Sequence, residues 1–222
     1  MNDDVWLIVP LFNEGAVIRD VVEDALQVFS NIVCVDDGSV DDSGAQAFAG
    51  GAQVVRHPIN LGQGAAIQTG LDYARAQQGS RYFVTFDSDG QHQAADALAM
   101  VNRLRSGDVD IVLGSRFLDD RTDVGPIKKV VLKVAVAFSN ATTGVHLSDA
   151  HNGLRALNRV AARSLQIKQD RMAHASEIVE QIGKCGLRYA EYPVHIHYSD
   201  YSRNKGQSLL NSVNIMAELL YK

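Results

Sequence analysis

Short apolar runs alternate with segments of helical spacing through the first 115 residues, and this alternation is what most constrains the fold. The runs cover 5–10, 31–36, 52–57, 81–87 and 109–115. Between them lie four segments at 15–29, 41–49, 63–78 and 94–105. The first carries Val17, Val21, Val22, Ala25, Leu26 and Phe29 at helical spacing. The runs are apolar throughout rather than alternating, which is expected of strands buried on both faces. Strand–helix alternation of this kind predicts an α/β fold with a mostly parallel central sheet flanked by helices.

After residue 116 the pattern changes. A long helix is expected over 127–143, then a loop at 148–156 leading into a short helix. A helix at 173–184 and a strand at 187–198 follow. A basic, glycine-containing loop at 201–208 precedes a final amphipathic helix. The sequence has no repeat, low-complexity tract or linker, so residues 1–222 are expected to form one domain.

Composition removes several function classes. The net charge of −5 gives no reason to expect nucleic acid as a partner. Cys34 and Cys185 stand alone, far from any metal-ligand or disulfide spacing. With two thiols, no leader segment and no apolar run of 18 residues, a cytoplasmic location is expected.

Chemistry concentrates where the apolar runs end. In open α/β sheets ligands bind beyond the carboxyl ends of the strands. Four polar, turn-rich clusters stand there: "VPLFNEG", "VDDGSVDDS", "HPINLGQGAA" and "FDSDGQH". Each alone reads as an ordinary turn or helix cap; together they predict one shared cleft. Asp37 is placed to accept hydrogen bonds from a nucleoside. Gly62 and Gly64 would let backbone N–H groups approach a phosphate ahead of a helix. Asp87 and Asp89, one residue apart, repel each other unless a cation sits between them. With Gln91 they offer an all-oxygen set suited to Mg²⁺ or Mn²⁺. No P-loop and no G-x-G-x-x-G after the first strand is present.

These clusters, in this order, resemble the family 2 glycosyltransferases of the GT-A fold, and most closely the dolichyl- or polyprenyl-phosphate sugar synthases. "GSR" (114–116), "SDAHNGLRA" (148–156), "EYPVHI" (191–196) and "SRNKGQS" (202–208) extend the resemblance over nearly the whole chain. It implies an enzyme that moves a sugar from a UDP- or GDP-sugar to a lipid-linked acceptor, polyprenyl phosphate first, with inversion at the anomeric carbon. Residues 1–116 would bind the nucleotide sugar and 117–222 the acceptor. Pro10, Phe12, Glu14 and Asp37 would surround the nucleoside, with Gly64 and Ser88 also at the donor. Asp87, Asp89 and Gln91 would hold Mg²⁺ or Mn²⁺ and, through it, the diphosphate. Asp89, Arg116 and Asp149 would stand at the reaction centre, Arg116 against phosphate or acceptor. Arg203 and Lys205 would close a basic loop over the phosphates. The sequence departs from the family at Gln63 and at His151-Asn152, and lacks the membrane helices of several relatives.

An acceptor that is already a phosphate monoester needs no strong base, whereas a sugar hydroxyl must lose a proton. Catalysis then rests on bringing two anions together, which demands cations. Arg116, Lys128, Lys129, Arg155, Arg203 and Lys205 are the candidates besides the metal. The final helix suggests docking to a small membrane protein or a second copy, and a peripheral position at the inner face of the cell membrane. Three alternatives remain open here: transfer to a glycan hydroxyl, a non-catalytic nucleotide-sugar-binding subunit, and a phosphatase of the haloacid-dehalogenase type, which shares the D-x-D-G pattern.

Overall fold

The computed structural model describes residues 2–119, 134, 136–137, 140–150, 152–169 and 173–197. The chain runs β1 (Val5–Leu11), α1 (Ile18–Leu26), β2 (Asn31–Asp36), α2 (Ser43–Ala49), β3 (Gln53–Arg56), α3 (Gln63–Ala76), β4 (Tyr82–Thr85), α4 (Ala94–Arg105) and β5 (Ile111–Ser115). It continues through β6 (Arg155–Asn158), α5 (Arg159–Ser164), α6 (His174–Lys184) and β7 (Tyr189–Pro193). One seven-stranded sheet results, in the order β3-β2-β1-β4-β6-β5-β7. All pairs are parallel except those of β6, which runs antiparallel to β4 and β5. The expected α/β architecture with a mostly parallel sheet is what the structure shows.

The continuous apolar runs are explained by two cores. Successive side chains of a strand point to opposite faces. Leu7 and Val9 of β1 pack with Val22, Met100 and Leu104 under α1 and α4. Trp6 and Ile8 of the same strand pack with Ile67, Leu71 and Val179 under α3 and α6. Every residue of β1 is buried. A polar substitution at Ile8 would strand a polar group in the second core, at a cost of about 1–3 kcal/mol.

Two differences from the sequence reading matter for the site. Residues 155–158 form a strand, not part of a loop leading into a helix. Leu, Arg and Ala favour helices, but here pairing with two neighbours overrides propensity. Leu154 and Ala156 enter the first core and Leu157 the second, so the alternation is real, but Arg155 interrupts its apolar half. Because β6 runs backwards, its first residue lies at the edge where the parallel strands end. The last strand is shorter than expected, Tyr189–Pro193 rather than 187–198. Of the expected helix at 127–143, residues 134, 136–137 and 140–143 are described and helical. Lys128, Lys129, His151, Arg203, Lys205 and the final helix lie outside the described residues.

Candidate active site

The carboxyl ends of β1, β2 and β4, the start of β6 and the first turns of α3 and α6 surround a cleft of about 630 Å³. That volume is typical of small-molecule sites. Pro10, Phe12, Glu14, Asp37, Asp87, Ser88 and Asp89 all line it. Three of the four clusters supply those residues, and the remaining one, after β3, supplies Asn60, Gly62 and Gln63. Phe12 is 43% exposed, which leaves its ring open to a planar ligand. Asn13 next to it takes a left-handed conformation, φ 54°, held by Ser39 Oγ, which accepts from its N–H, and by Val40 N–H, which donates to its Oδ1. The loops after β1 and β2 are thereby tied together. Gly38, φ +74°, lets the β2 loop pass against the Ile59–Asn60 backbone, where a Cβ would collide.

Asp37 is 3% exposed and already engaged. Its Oδ1 accepts from Leu61 N–H at 2.9 Å and pairs with His57 Nδ1 at 2.7 Å; Oδ2 accepts from Gly62 N–H at 2.7 Å. Of the backbone groups expected to approach a phosphate, the Gly62 N–H is therefore spent on a carboxylate of the protein. The reason is electrostatic: Asp37 sits at the N-terminus of α3, where an anion is favoured. Gly64 does not line the cleft. It lies against the Gln169 carbonyl and His174, where a side chain would collide, so its smallness serves packing of α3.

The paired carboxylates after β4 differ from each other. Asp87 Oδ2 lies 2.8 Å from His92 Nε2, and Oδ1 accepts from Gln63 Nε2 at 3.3 Å. Burial alone would raise its carboxyl, but His92, with Arg155 and His174 beyond, holds it below the ordinary range. Asp89 has no such cation. Burial, then Asp87 and Glu14, push its carboxyl up to about 6, against a single N–H from Gln91 and the more distant His92. Such crowding of negative charge is what a bound cation relieves. The donors are all oxygens, which suits Mg²⁺ or Mn²⁺. Among the described residues no three His, Cys, Asp or Glu side chains cluster as a complete metal site. Two carboxylates with the rest from substrate oxygens and water is a common arrangement for such ions. Gln91 is fixed through its backbone, donating to Asp89 and accepting from His197, and does not line the cleft.

Arg116 and Asp149 come together but outside the cleft lining. Arg116 follows β5 and grips Asp149 with Nε–H at 2.7 Å and Nη2–H at 2.8 Å. The Asp149 side chain has no exposure. Glu191 on β7 fixes the loop before it, accepting from Ser148 N–H, Ser148 Oγ–H and Asp149 N–H. Asp149 is thus a buried anchor of Arg116.

Sequence reasoning missed His174 and Gly153, and Arg155 was only one cation among six. All three line the cleft. Gly153 has no side chain because a Cβ would collide with the Asp87 carboxylate. No motif signals His174; it arrives with α6 through tertiary packing.

The sequence model of the family described as Glycosyl transferase family 2 matches residues 6–165, well over half of the chain and all of the cleft apart from α6. The chain belongs to glycosyl transferase family 2. Its relatives agree with that membership. An uncharacterized protein of Methanocaldococcus jannaschii, MJ1222, is 31% identical over 99% of this chain and 92% of its own. The UDP-N-acetylglucosamine–dolichyl-phosphate N-acetylglucosaminyltransferase of Methanococcus voltae is 28% identical over 97% of this chain and 94% of its own. Among solved structures, glucosyl-3-phosphoglycerate synthase from Mycobacterium tuberculosis, in complex with Mn²⁺ and UDP-glucose, superposes with a TM-score of 0.74. It is 20% identical and covers 99% of this chain and 79% of that one, a likeness of fold. The family 2 chain is a hexosyltransferase of GT-A type that uses a nucleotide-diphosphate sugar, related to the dolichyl- and polyprenyl-phosphate sugar synthases. Among the described residues no helix is long and apolar enough to cross a membrane.

Proposed function

We propose that this enzyme transfers a hexosyl group from UDP- or GDP-sugar to a polyprenyl phosphate, with Asp87 and Asp89 holding Mg²⁺ or Mn²⁺. The observation that carries the reading is the excess of negative charge where Asp87, Asp89 and Glu14 meet, with Asp89 raised to about 6. When bound, the ion would offset the charge of the departing diphosphate. Phe12 and Pro10 offer apolar surface to the nucleoside, and Ser88 and Glu14 offer polar groups beside it. Asp37 takes part through the α3 turn that it fixes. Gln63 and His92 hold Asp87 in place, while Gly153 gives it room.

The acceptor assignment rests on charge. In a single displacement, an acceptor phosphate oxygen attacks the anomeric carbon while the bond to the diphosphate oxygen breaks, inverting the centre. A phosphate monoester needs no base for this. Asp149, the carboxylate that the family resemblance puts near the reaction centre, is buried and bound twice by Arg116, so it is poorly placed to take a proton from a hydroxyl. The name of the M. voltae relative points to a dolichyl-phosphate acceptor for that protein, in line with this reading. Arg116, with Arg203 and Lys205, would meet the acceptor phosphate or the donor phosphates at a membrane surface, the enzyme lying peripherally on the cytoplasmic face. The final helix would dock a small membrane protein or a second copy. A single domain over 1–222 is supported by β6 and β7, from the second half, pairing with β4 and β5 from the first.

A thermal-shift screen of UDP, GDP and their sugars, with and without Mn²⁺, tests the donor, because a ligand of the native form raises Tm by mass action. One nucleotide should stabilise the protein only when metal is present. Transfer from that nucleotide's sugars should then occur to polyprenyl phosphate and not to polyprenol. Equal transfer to both would overturn the acceptor assignment.

A further inference from the structure

Arg155 is the largest fully buried side chain, 2% exposed, yet it lines the cleft. Among the described residues, neither Nε nor Nη1 has a hydrogen-bond partner. Leaving buried charged donors unmade is costly, and β6 could have carried an apolar residue here. The guanidinium feels the charges of both Asp87 and Asp149 without bonding to either. Its strand register fixes where it stands. Arg155 pairs with Thr85 of β4, two residues before Asp87, and with Leu113 of β5. The first turn of α6, with His174 and Ala175, lines the same cleft. A helix N-terminus adds partial positive charge there. An unpaired buried guanidinium and a helix N-terminus therefore line the cleft that holds the proposed metal carboxylates, Arg155 standing one strand further along the sheet.

That order identifies the ligand. Nucleoside surfaces come from the ends of β1 and β2, the carboxylates from β4, and Arg155 from β6. Neighbouring strands lie about 4.8 Å apart, a separation that the outer oxygens of a diphosphate can span. We infer that Arg155 is a leaving-group residue, donating its unpaired N–H groups to the distal phosphate of the donor nucleotide, with the α6 N-terminus behind it. As the sugar–phosphate bond breaks, the bonding electron pair moves onto the distal phosphate oxygen, and that is the charge Arg155 faces. This role rests on the nucleotide-sugar reading above.

The test is a ladder of phosphates on the full chain with Mg²⁺. Affinities of UDP against UMP, and of GDP against GMP, are measured by calorimetry for wild type, Arg155→Lys and Arg155→Met. Diphosphate affinity should fall roughly ten- to hundredfold in Arg155→Met, with partial rescue in Arg155→Lys, while monophosphate affinity stays within about twofold. Equal losses for both nucleotides would mean that Arg155 only supports the fold, and would overturn the inference. Should the variants not fold, the ¹⁵N resonance of Arg155 Nε in wild type decides. It should move when the diphosphate binds and not when the monophosphate binds; indifference to the diphosphate overturns the inference. Wild-type protein that binds neither UDP nor GDP overturns the donor reading and this role with it, whereas binding to which Arg155 is indifferent overturns this role alone.

Discussion

Two charge clusters share the carboxyl edge of one sheet and are built in opposite ways. Beyond β5, Arg116 is paired with Asp149 and Glu191 of β7 accepts three N–H and O–H groups, while at the opposite, amino edge of the same strands Asp110 is paired with Arg188. After β4, Asp87, Asp89 and Glu14 crowd together, and the Arg155 guanidinium, whose charge reaches Asp87, leaves Nε and Nη1 without a hydrogen bond among the described residues. The first cluster is complete without a ligand and works as scaffold. On the function proposed above, the second would be completed by a cation and then by the donor diphosphate. Unbalanced charge in a cleft marks where substrate goes, and balanced charge marks what holds the cleft open.

Substitutions can break that contrast, beginning with the largest effect. Asp149→Ala removes the buried carboxylate that grips a nearly buried Arg116 and should cost about 3–5 kcal/mol of stability, measured by urea unfolding. A loss under about 1 kcal/mol would show that the pair is not scaffold. Asp89→Ala should do the reverse, sparing the fold and lowering transfer by about 10²–10³-fold. Steady-state rates at saturating metal check it, and an unchanged rate removes Asp89 from the chemistry.

The contrast sharpens with pH. The Asp89 carboxyl is raised in the folded protein, so the native state holds its proton more tightly than the unfolded chain does. In metal-free protein its contribution to stability is therefore lost as pH rises from the ordinary carboxylate range to about 6. Asp89→Asn should relieve this and stabilise metal-free protein at pH 7.5 by about 1 kcal/mol after allowing for solvent screening, read as a Tm rise of about 2–4 °C. Metal-dependent nucleotide affinity in wild type should fall about tenfold per pH unit below 6. A variant less stable than wild type, or flat affinity down to pH 5, contradicts the charge assignment. The smallest effect is expected at Asp110. The side-chain hydrogen bonds from Arg188 hold its carboxyl below the ordinary range. That stability is present above about pH 4 and lost as pH falls through the lowered value. Asp110→Asn should cost under about 1 kcal/mol at pH 7, since Arg188 is largely exposed, with the difference from wild type vanishing in strong acid.

Legibility in the sequence followed the physics of each element. Strands β1 and β2 were plain because burial on both faces leaves no polar residue in β1 and none between Asn31 and Asp36 of β2. Helix α4 was placed at its observed ends, 94–105, by its periodicity and its bounding polar turns. Strand β6 was hidden because its buried Arg155 breaks the apolar alternation, and the reason for that arginine lies in the cleft. Asp87 and Asp89 were legible as a pair, but their inequality was not, since it depends on His92 and Gln63 hydrogen-bonding to Asp87 and not to Asp89. The Gly62–Gly64 turn was read as a phosphate cradle. Its occupancy by Asp37 required knowing that β2 ends against the start of α3, a contact no local pattern encodes.

The central claim is that Asp87 and Asp89 form half of a cation site that the donor diphosphate completes. Calorimetric titration of Mn²⁺ into the full chain, with and without saturating UDP or GDP, tests it most directly. Binding should be weak alone and at least about tenfold tighter with the diphosphate, the gain being lost in Asp89→Ala. Mn²⁺ affinity that is the same with and without either nucleotide, or that survives in Asp89→Ala, would contradict it.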